Sequence, residues 1–212
     1  MKKWQLILFV IISLADLTMI AFDLPRQLTK PLILSSLFIF SLIQLGARWK
    51  EFTLLLIALW FAFLGDVFLL GHGEQFFMLG LGSFLIMQLT YCYLFFKQKM
   101  IGVHQRKWPV LVLLLILILF MILFIPQTGA LKVPVSIYSI SIVFMAILAI
   151  LRWKARGYWW VVIGAIFFMI SDGVLGVNKF ASAVPYAGLI VMATYCMAQG
   201  CIVHGLLLQA AE

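Results

Sequence analysis

Runs of apolar residues long enough to cross a bilayer follow one another along almost the whole chain, separated only by short polar joints. A run of about 18 or more such residues reads as a membrane helix. Of the 212 residues, 66% are hydrophobic and 10% charged; a soluble domain carries about 25% charged residues. Too little charge is left to cover a water-soluble surface. The expected class is therefore all-α: a polytopic membrane helix bundle forming a single integral membrane domain over residues 1–212, with no room for a soluble domain.

Eight transmembrane helices are read, at roughly 4–22, 31–47, 52–71, 76–96, 108–125, 133–151, 158–177 and 185–208. Four of the six prolines, Pro31, Pro109, Pro134 and Pro185, fall at proposed helix starts, where the amide that proline lacks would have no helical partner. The first span follows Lys2 and Lys3 as a secretion signal would. It is long for one and shows no evident small-residue cleavage site, so it is read as a helix of the bundle.

The formal net charge is +8, and its distribution decides what it means. When Lys and Arg are assigned to alternate sides of the membrane, only Arg26, Lys30, Lys132 and Lys179 fall on the side away from the N-terminus. The other eleven of the fifteen fall on the N-terminal side. The positive-inside rule then places both termini in the cytoplasm, in an inner or plasma membrane. Trp4, Trp49, Trp108, Trp153, Trp159 and Trp160 collect near the cytoplasmic helix ends, as interface anchors do. The basic balance is an orientation signal, and no nucleic-acid partner is expected. Cys92, Cys196 and Cys201 lie in apolar runs, without any CxxC, and His72, His104 and His204 are scattered. Neither a metal nor another cofactor is expected.

The chain looks duplicated. RWK occurs at 48–50 and 152–154, and TYC at 90–92 and 194–196, both at an offset of 104 residues. Lys30 and Lys132, Pro31 and Pro134, and Asp66 and Asp172 align at offsets of 102, 103 and 106. An offset of four helices means a parallel 4+4 repeat, with halves 1–103 and 104–212. Such a repeat is related by a pseudo-twofold axis along the membrane normal, and its sites lie at the interface of the halves.

Asp66, in FAFLGDVFLLG, and Asp172, in IFFMISDGVLGV, are the acids in the deepest apolar settings. Each lies about five residues before the outer end of its helix, roughly 8 Å deep at 1.5 Å per residue. An acid at the centre of a membrane helix costs about 2.5–3.5 kcal/mol on insertion scales. Acids so placed face the bundle interior and mark function. The repeat would set these two facing each other across the axis. Two acids in one site repel and retain one proton between them, so the pair can act as acid and base together. Lys30, opening helix 2 on the same side, can balance the carboxylates or grip a lipid phosphate. Tyr195 and Gln199 share a face of helix 8, and Gln88 and Tyr91 share a face of helix 4; either pair can be an interhelical link or part of a site. Asn178 is placed just past helix 7. Asp23 is expected in water, and Asp16 in a less comfortable setting. No nucleophile elbow or phosphate-binding glycine loop occurs.

The motifs TKPL (29–32), GDVFLL (65–70), GSFLIMQLTY (82–91), SDGVLG (171–176) and YCMAQ (195–199) together resemble the YhhN-like lysoplasmalogenase family of eight-helix membrane proteins. The resemblance spreads over most of the chain. Where that family often carries His in the helix-4 motif, this chain has Gln88, which keeps a hydrogen-bonding role but not proton transfer. The resemblance implies hydrolysis of the vinyl ether bond of lysoplasmalogen to a fatty aldehyde and glycerophospho-ethanolamine or -choline. The substrate would be a lysophospholipid, met among membrane lipids. The residues it carries over are Lys30, Asp66, Asp172, Tyr195 and Gln199, with Gln88 and Tyr91. By analogy with the paired carboxylates of glycosidases, Asp66 and Asp172 are expected within about 10 Å of each other, with either one as the acid. The lipid tail is expected in an apolar groove between helices. The alternative is a proton-coupled transporter or channel for a lipid or small solute, which a parallel repeat with central acids would also suit. Oligomeric state and head-group preference are not legible.

Overall fold

The computed structural model describes residues 1–98, 100–152 and 156–210. Lys99, Trp153 and Lys154, used above for orientation, interface anchoring and the second RWK copy, lie outside the described residues. The chain is all-α: α1 (Lys3–Ala21), α2 (Thr29–Leu45), α3 (Thr53–Phe68), α4 (Glu74–Phe96), α5 (Lys107–Leu123), α6 (Lys132–Leu151), α7 (Tyr158–Phe180) and α8 (Ala187–Gln209). Helix ends lie within three residues of those read from sequence. Pro31, Pro109 and Pro134 each occupy the third position of a helix. Pro185 does not start α8 but stands two residues before it, because Tyr186 takes a left-handed conformation (φ 56°) at the cap.

Among the described residues, seven helical stretches are long and apolar enough to cross a membrane. The count is seven because the 3-10 segment Gly46–Phe52 joins α2 and α3 into one 40-residue stretch, Thr29–Phe68. That stretch is not straight. Gly46 adopts φ 53°, ψ −127°, a conformation that strongly favours glycine, and α2 folds back to pack along α3. Gly129 takes nearly the same conformation between α5 and α6.

Burial runs opposite to that of a soluble helix. The buried stripe of α1 is Gln5, Phe9, Ser13 and Asp16, whereas Leu6, Ile7, Ile11 and Leu14 are exposed. Where the surrounding solvent is hydrocarbon, the apolar face belongs outside and the polar stripe inside. Helix association then rests on close approach through small residues. The closest pairs are α7 with α8 and α3 with α4. A Cβ at Gly164 would lie 2.7 Å from the Ala198 carbonyl oxygen, and one at Gly65 would lie 2.8 Å from the Phe84 ring. Gly164→Ala is therefore expected to cost about 1–3 kcal/mol by overpacking backbone against backbone, read as a lower thermal midpoint in detergent. Gly82→Ala, where a Cβ meets nothing within 4 Å, should leave that midpoint unchanged. A midpoint unmoved by Gly164→Ala would contradict the close α7–α8 crossing.

The two ends of the bundle differ. At one, the Arg152 Nε donates to Gln98 Oε1 (2.6 Å), the Gln98 Nε2 donates to Gln209 Oε1 (3.0 Å), and the Arg48 Nη1 donates to the Ala210 carbonyl (2.8 Å). These bonds join the ends of α4, α6 and α8 to the α2–α3 turn. At the other end, where α1, α3 and α7 finish and α2 and α8 begin, the buried acids collect.

Candidate active site

A cavity of about 400 Å³ opens between the helix ends at this second pole. Asp66, Asp172 and Tyr195 line it, with Arg26, Lys30, His72, Asn178 and Lys179. The two acids, 106 residues apart in sequence, thus face one shared space.

Asp66 is 1% exposed. The Lys30 Nζ stands 3.7 Å from its Oδ1, and the Tyr195 hydroxyl donates to its Oδ2 at 2.9 Å. Lys30 occupies the first turn of α2, where the helix dipole disfavours a cation. Its placement answers to Asp66 rather than to its own helix. Lys30 is itself buried, 5% exposed, so the two charges offset each other's loss of water. The Tyr195 ring is fixed edge-on against Phe84 and Phe168, at centroid distances of 5.9 and 5.8 Å.

Asp172 is partly open to the cavity. The Tyr138 hydroxyl donates to its Oδ2. Among the described residues no cation lies within ion-pair distance of it. The pair is therefore asymmetric: one carboxylate has a buried counter-ion and the other has a phenol.

A second buried acid–base pair braces the rim. Asp16, fully buried on α1, accepts from Arg26 through Nη2 (2.5 Å) and Nε (3.2 Å), and from Thr29 Oγ1 (2.7 Å). This forked contact ties α1 to the loop before α2, and so fixes the turn that carries Lys30. Asp23 is exposed, as expected.

Asn178 does not follow helix 7 but lies within it. Nothing in SDGVLGVNKF breaks the helix, which continues to Phe180. Its Oδ1 accepts from the Val184 amide at 3.0 Å, so it shapes the turn into α8 while lining the cavity. Tyr91, Gln199 and Gln88 do not line it. They form a buried polar layer deeper in the bundle. The Tyr91 hydroxyl donates to Gln199 Oε1 (3.1 Å), the Gln199 Nε2 points to Met87 Sδ (3.2 Å), and Gln88 pairs with Ser141 beside the Tyr138 hydroxyl. Ser141 has one proton to donate and already stands 2.8 Å from the Tyr138 carbonyl. Turning the Gln88 amide over lets Nε2 donate to Ser141 Oγ and pairs an amide otherwise without a partner among the described residues.

The sequence does not mark Arg26 and Lys179 as cavity residues, nor Tyr138 as the hydrogen-bond partner of Asp172. Tyr138 was within reach: it lies six residues into α6, about 9 Å from the helix start at 1.5 Å per residue, close to the depth of the acids. Arg26 is the first cation after Asp16 across the turn, and a fully buried carboxylate is costly without such a partner. Nothing in the sequence singles out Lys179, which lies at the rim over the Phe77 ring (5.0 Å).

A protein-family model described as the YhhN family matches residues 25–206, a range that holds every cavity residue named above. Two proteins called Lysoplasmalogenase TMEM86A, from Homo sapiens and Bos taurus, are 29% and 28% identical to the chain over 153 residues. The match takes in 69% of this chain and 62% of each relative, so the chain spans less than two thirds of the length of the curated relatives it matches. No solved structure matches it.

Proposed function

The chain belongs to the YhhN family, and from that premise we propose that it is a membrane hydrolase that cleaves the vinyl ether bond of lysoplasmalogen by acid–base catalysis between Asp172 and Asp66. The observation that carries this reading is that both carboxyl groups line one cavity, with unlike partners.

Vinyl ether hydrolysis begins at carbon. The carboxyl that holds the proton gives it to the carbon beta to the ether oxygen, and the C=C pair forms the new C–H bond. The cation left behind is shared between carbon and oxygen. Water adds to the oxygen-bearing carbon and loses a proton to the second carboxylate. As the hemiacetal collapses, that carboxyl gives its proton to the leaving glycerol oxygen and the first carboxylate takes the hemiacetal hydroxyl proton, which yields aldehyde and the glycerophospho-base and restores both groups. Asp172 is the better acid because no cation among the described residues pairs with it. Tyr138 occupies its Oδ2, which leaves Oδ1 to carry the proton and face the cavity. Asp66 is the better base and cation stabiliser, since Lys30 and Tyr195 hold its charge in place. Carboxyl groups in such roles contribute about 10²–10⁴-fold each.

Purified protein in detergent should release fatty aldehyde from a lysoplasmalogen and none from the saturated alkyl ether lysolipid, whose C–O bond has no adjacent double bond to protonate. No aldehyde from any vinyl ether lysolipid removes this reading. Solute flux in vesicles that needs both acids would favour the transport alternative. Tyr195→Phe removes one donor from Asp66 and should lower kcat about ten- to a hundredfold, in proportion to a hydrogen bond to a charged group; steady-state kinetics checks it.

We further infer eight spans in two parallel four-helix halves, 1–103 and 104–212, within one membrane domain. Supporting this, α1, α2, α3 and α4 pack in series as α5, α6, α7 and α8 do, and α4 meets α6 while α8 meets α2. The excess of basic residues at the pole opposite the cavity supports cytoplasmic termini, with the cavity facing outward.

A further inference from the structure

An apolar groove of about 110 Å³ runs between α4, α5, α6 and α7, with Asp172 in its wall. It shares Leu69, Phe77, Phe84, Asp172 and Leu175 with the polar cavity, so the two adjoin across these side chains. Its polar groups are already engaged: Ser139 Oγ donates to the Val135 carbonyl and the Tyr138 hydroxyl donates to Asp172. What remains is a hydrocarbon surface on one side of Asp172 and a charged chamber on the other. A lysoplasmalogen has the same division, with the vinyl ether at the boundary between its polar head and its single chain.

We propose that this groove holds the hydrocarbon chain of the substrate lysolipid, admitted sideways from the bilayer past α5, and that Gly173 and Gly176 of α7 with Phe120 of α5 set the width it accepts. The identity of the lipid rests on the hydrolase reading; the placement of the chain rests on the groove. On α7, Met169, Asp172, Gly173, Gly176 and Phe180 form one stripe at helical spacing and line the groove. A Cβ at Gly173 meets nothing within 4 Å, so any side chain there enters open space. A Cβ at Gly176 would lie 3.3 Å from Phe120 Cζ, so that ring closes on α7 at its smallest residue. α5 is suited to yield: its buried residues are Val110 and Leu113, in its first half, away from Phe120.

The test uses a saturated alkyl ether lysophospholipid with a diazirine at mid-chain, which the proposed chemistry does not cleave. Irradiated with the purified full chain, it should label peptides covering 116–124 and 169–180. Gly173→Leu, which fills the groove, should cut that labelling about tenfold or more, since each methylene kept from an apolar site costs several-fold in affinity. Phe120→Ala should raise labelling by a probe with a methyl-branched chain. In turnover, Gly173→Leu should lower the ratio of kcat/KM for long-chain over short-chain lysoplasmalogen about tenfold or more by the same reasoning. Label spread evenly over the lipid-facing helices, or concentrated on α1 and α8, overturns the proposal, as does labelling that Gly173→Leu leaves intact. Because the probe is not hydrolysed, a protein that labels as expected yet releases no aldehyde sinks the hydrolase reading and keeps the groove. Aldehyde release with label elsewhere does the reverse.

Discussion

Asp172→Asn lowers lysoplasmalogen turnover by about 10²–10⁴-fold, the range expected for removal of a general acid, and leaves the fold intact. The carboxamide has the same shape, and its oxygen still accepts from Tyr138. Among the described residues Asp172 has no buried cation whose charge would be stranded, so thermal stability in detergent should stay within about 1 kcal/mol of the parent, as for substitutions that leave burial and pairing unchanged. What the variant loses is a proton to give to carbon. Asp66→Asn behaves differently. It removes turnover by a similar factor and also destabilises, because Lys30 is left buried 3.7 Å from a neutral group. The contrast separates the two roles: equal stability loss in both variants, or more than a tenth of parent turnover in either, contradicts the assignment.

Arg26→Met destabilises by about 3 kcal/mol, the lower end of what is lost when one partner of a buried ion pair is removed. The lower end applies because the Arg26 side chain keeps 22% exposure while that of Asp16 has none. Asp16 is left with Thr29 as its hydrogen-bond donor, and the turn carrying Lys30 loses its tie to α1. The double replacement of Asp16 by Asn and Arg26 by Met should recover part of the lost stability, since no charge is then stranded. Thermal midpoints of the parent, both single variants and the double variant form the cycle. Additive losses would show that the two side chains do not act as a pair.

How much of this was legible in the sequence follows from what lipid does to a helix. Apolar length and the proline positions were enough to place helix ends within three residues, because each span has to bridge the same thickness. The acids were legible because a carboxylate in hydrocarbon is costly and therefore conspicuous. Their partners were not. Tyr138 and Arg26 are ordinary residues until the bundle sets one beside Asp172 and the other beside Asp16, and pairings across helices leave no local periodicity. For the same reason Tyr91 and Gln199, which share faces with other candidates, proved to bond to each other across α4 and α8 away from the cavity. Face-sharing on a helix fixes direction, not depth. The join at Gly46 was hidden as well: the sequence breaks there at a charged loop, whereas the backbone continues as a 3-10 turn.

The central claim is proton transfer to carbon by one of two acids sharing a cavity. Hydrolysis of a lysoplasmalogen in heavy water tests it most directly, with mass analysis of the aldehyde trapped as it forms. One deuterium is expected at the carbon beside the carbonyl, with loss of that product in both Asp66→Asn and Asp172→Asn. Aldehyde without deuterium at that carbon, or deuterated aldehyde formed at the parent rate by either variant, would contradict it.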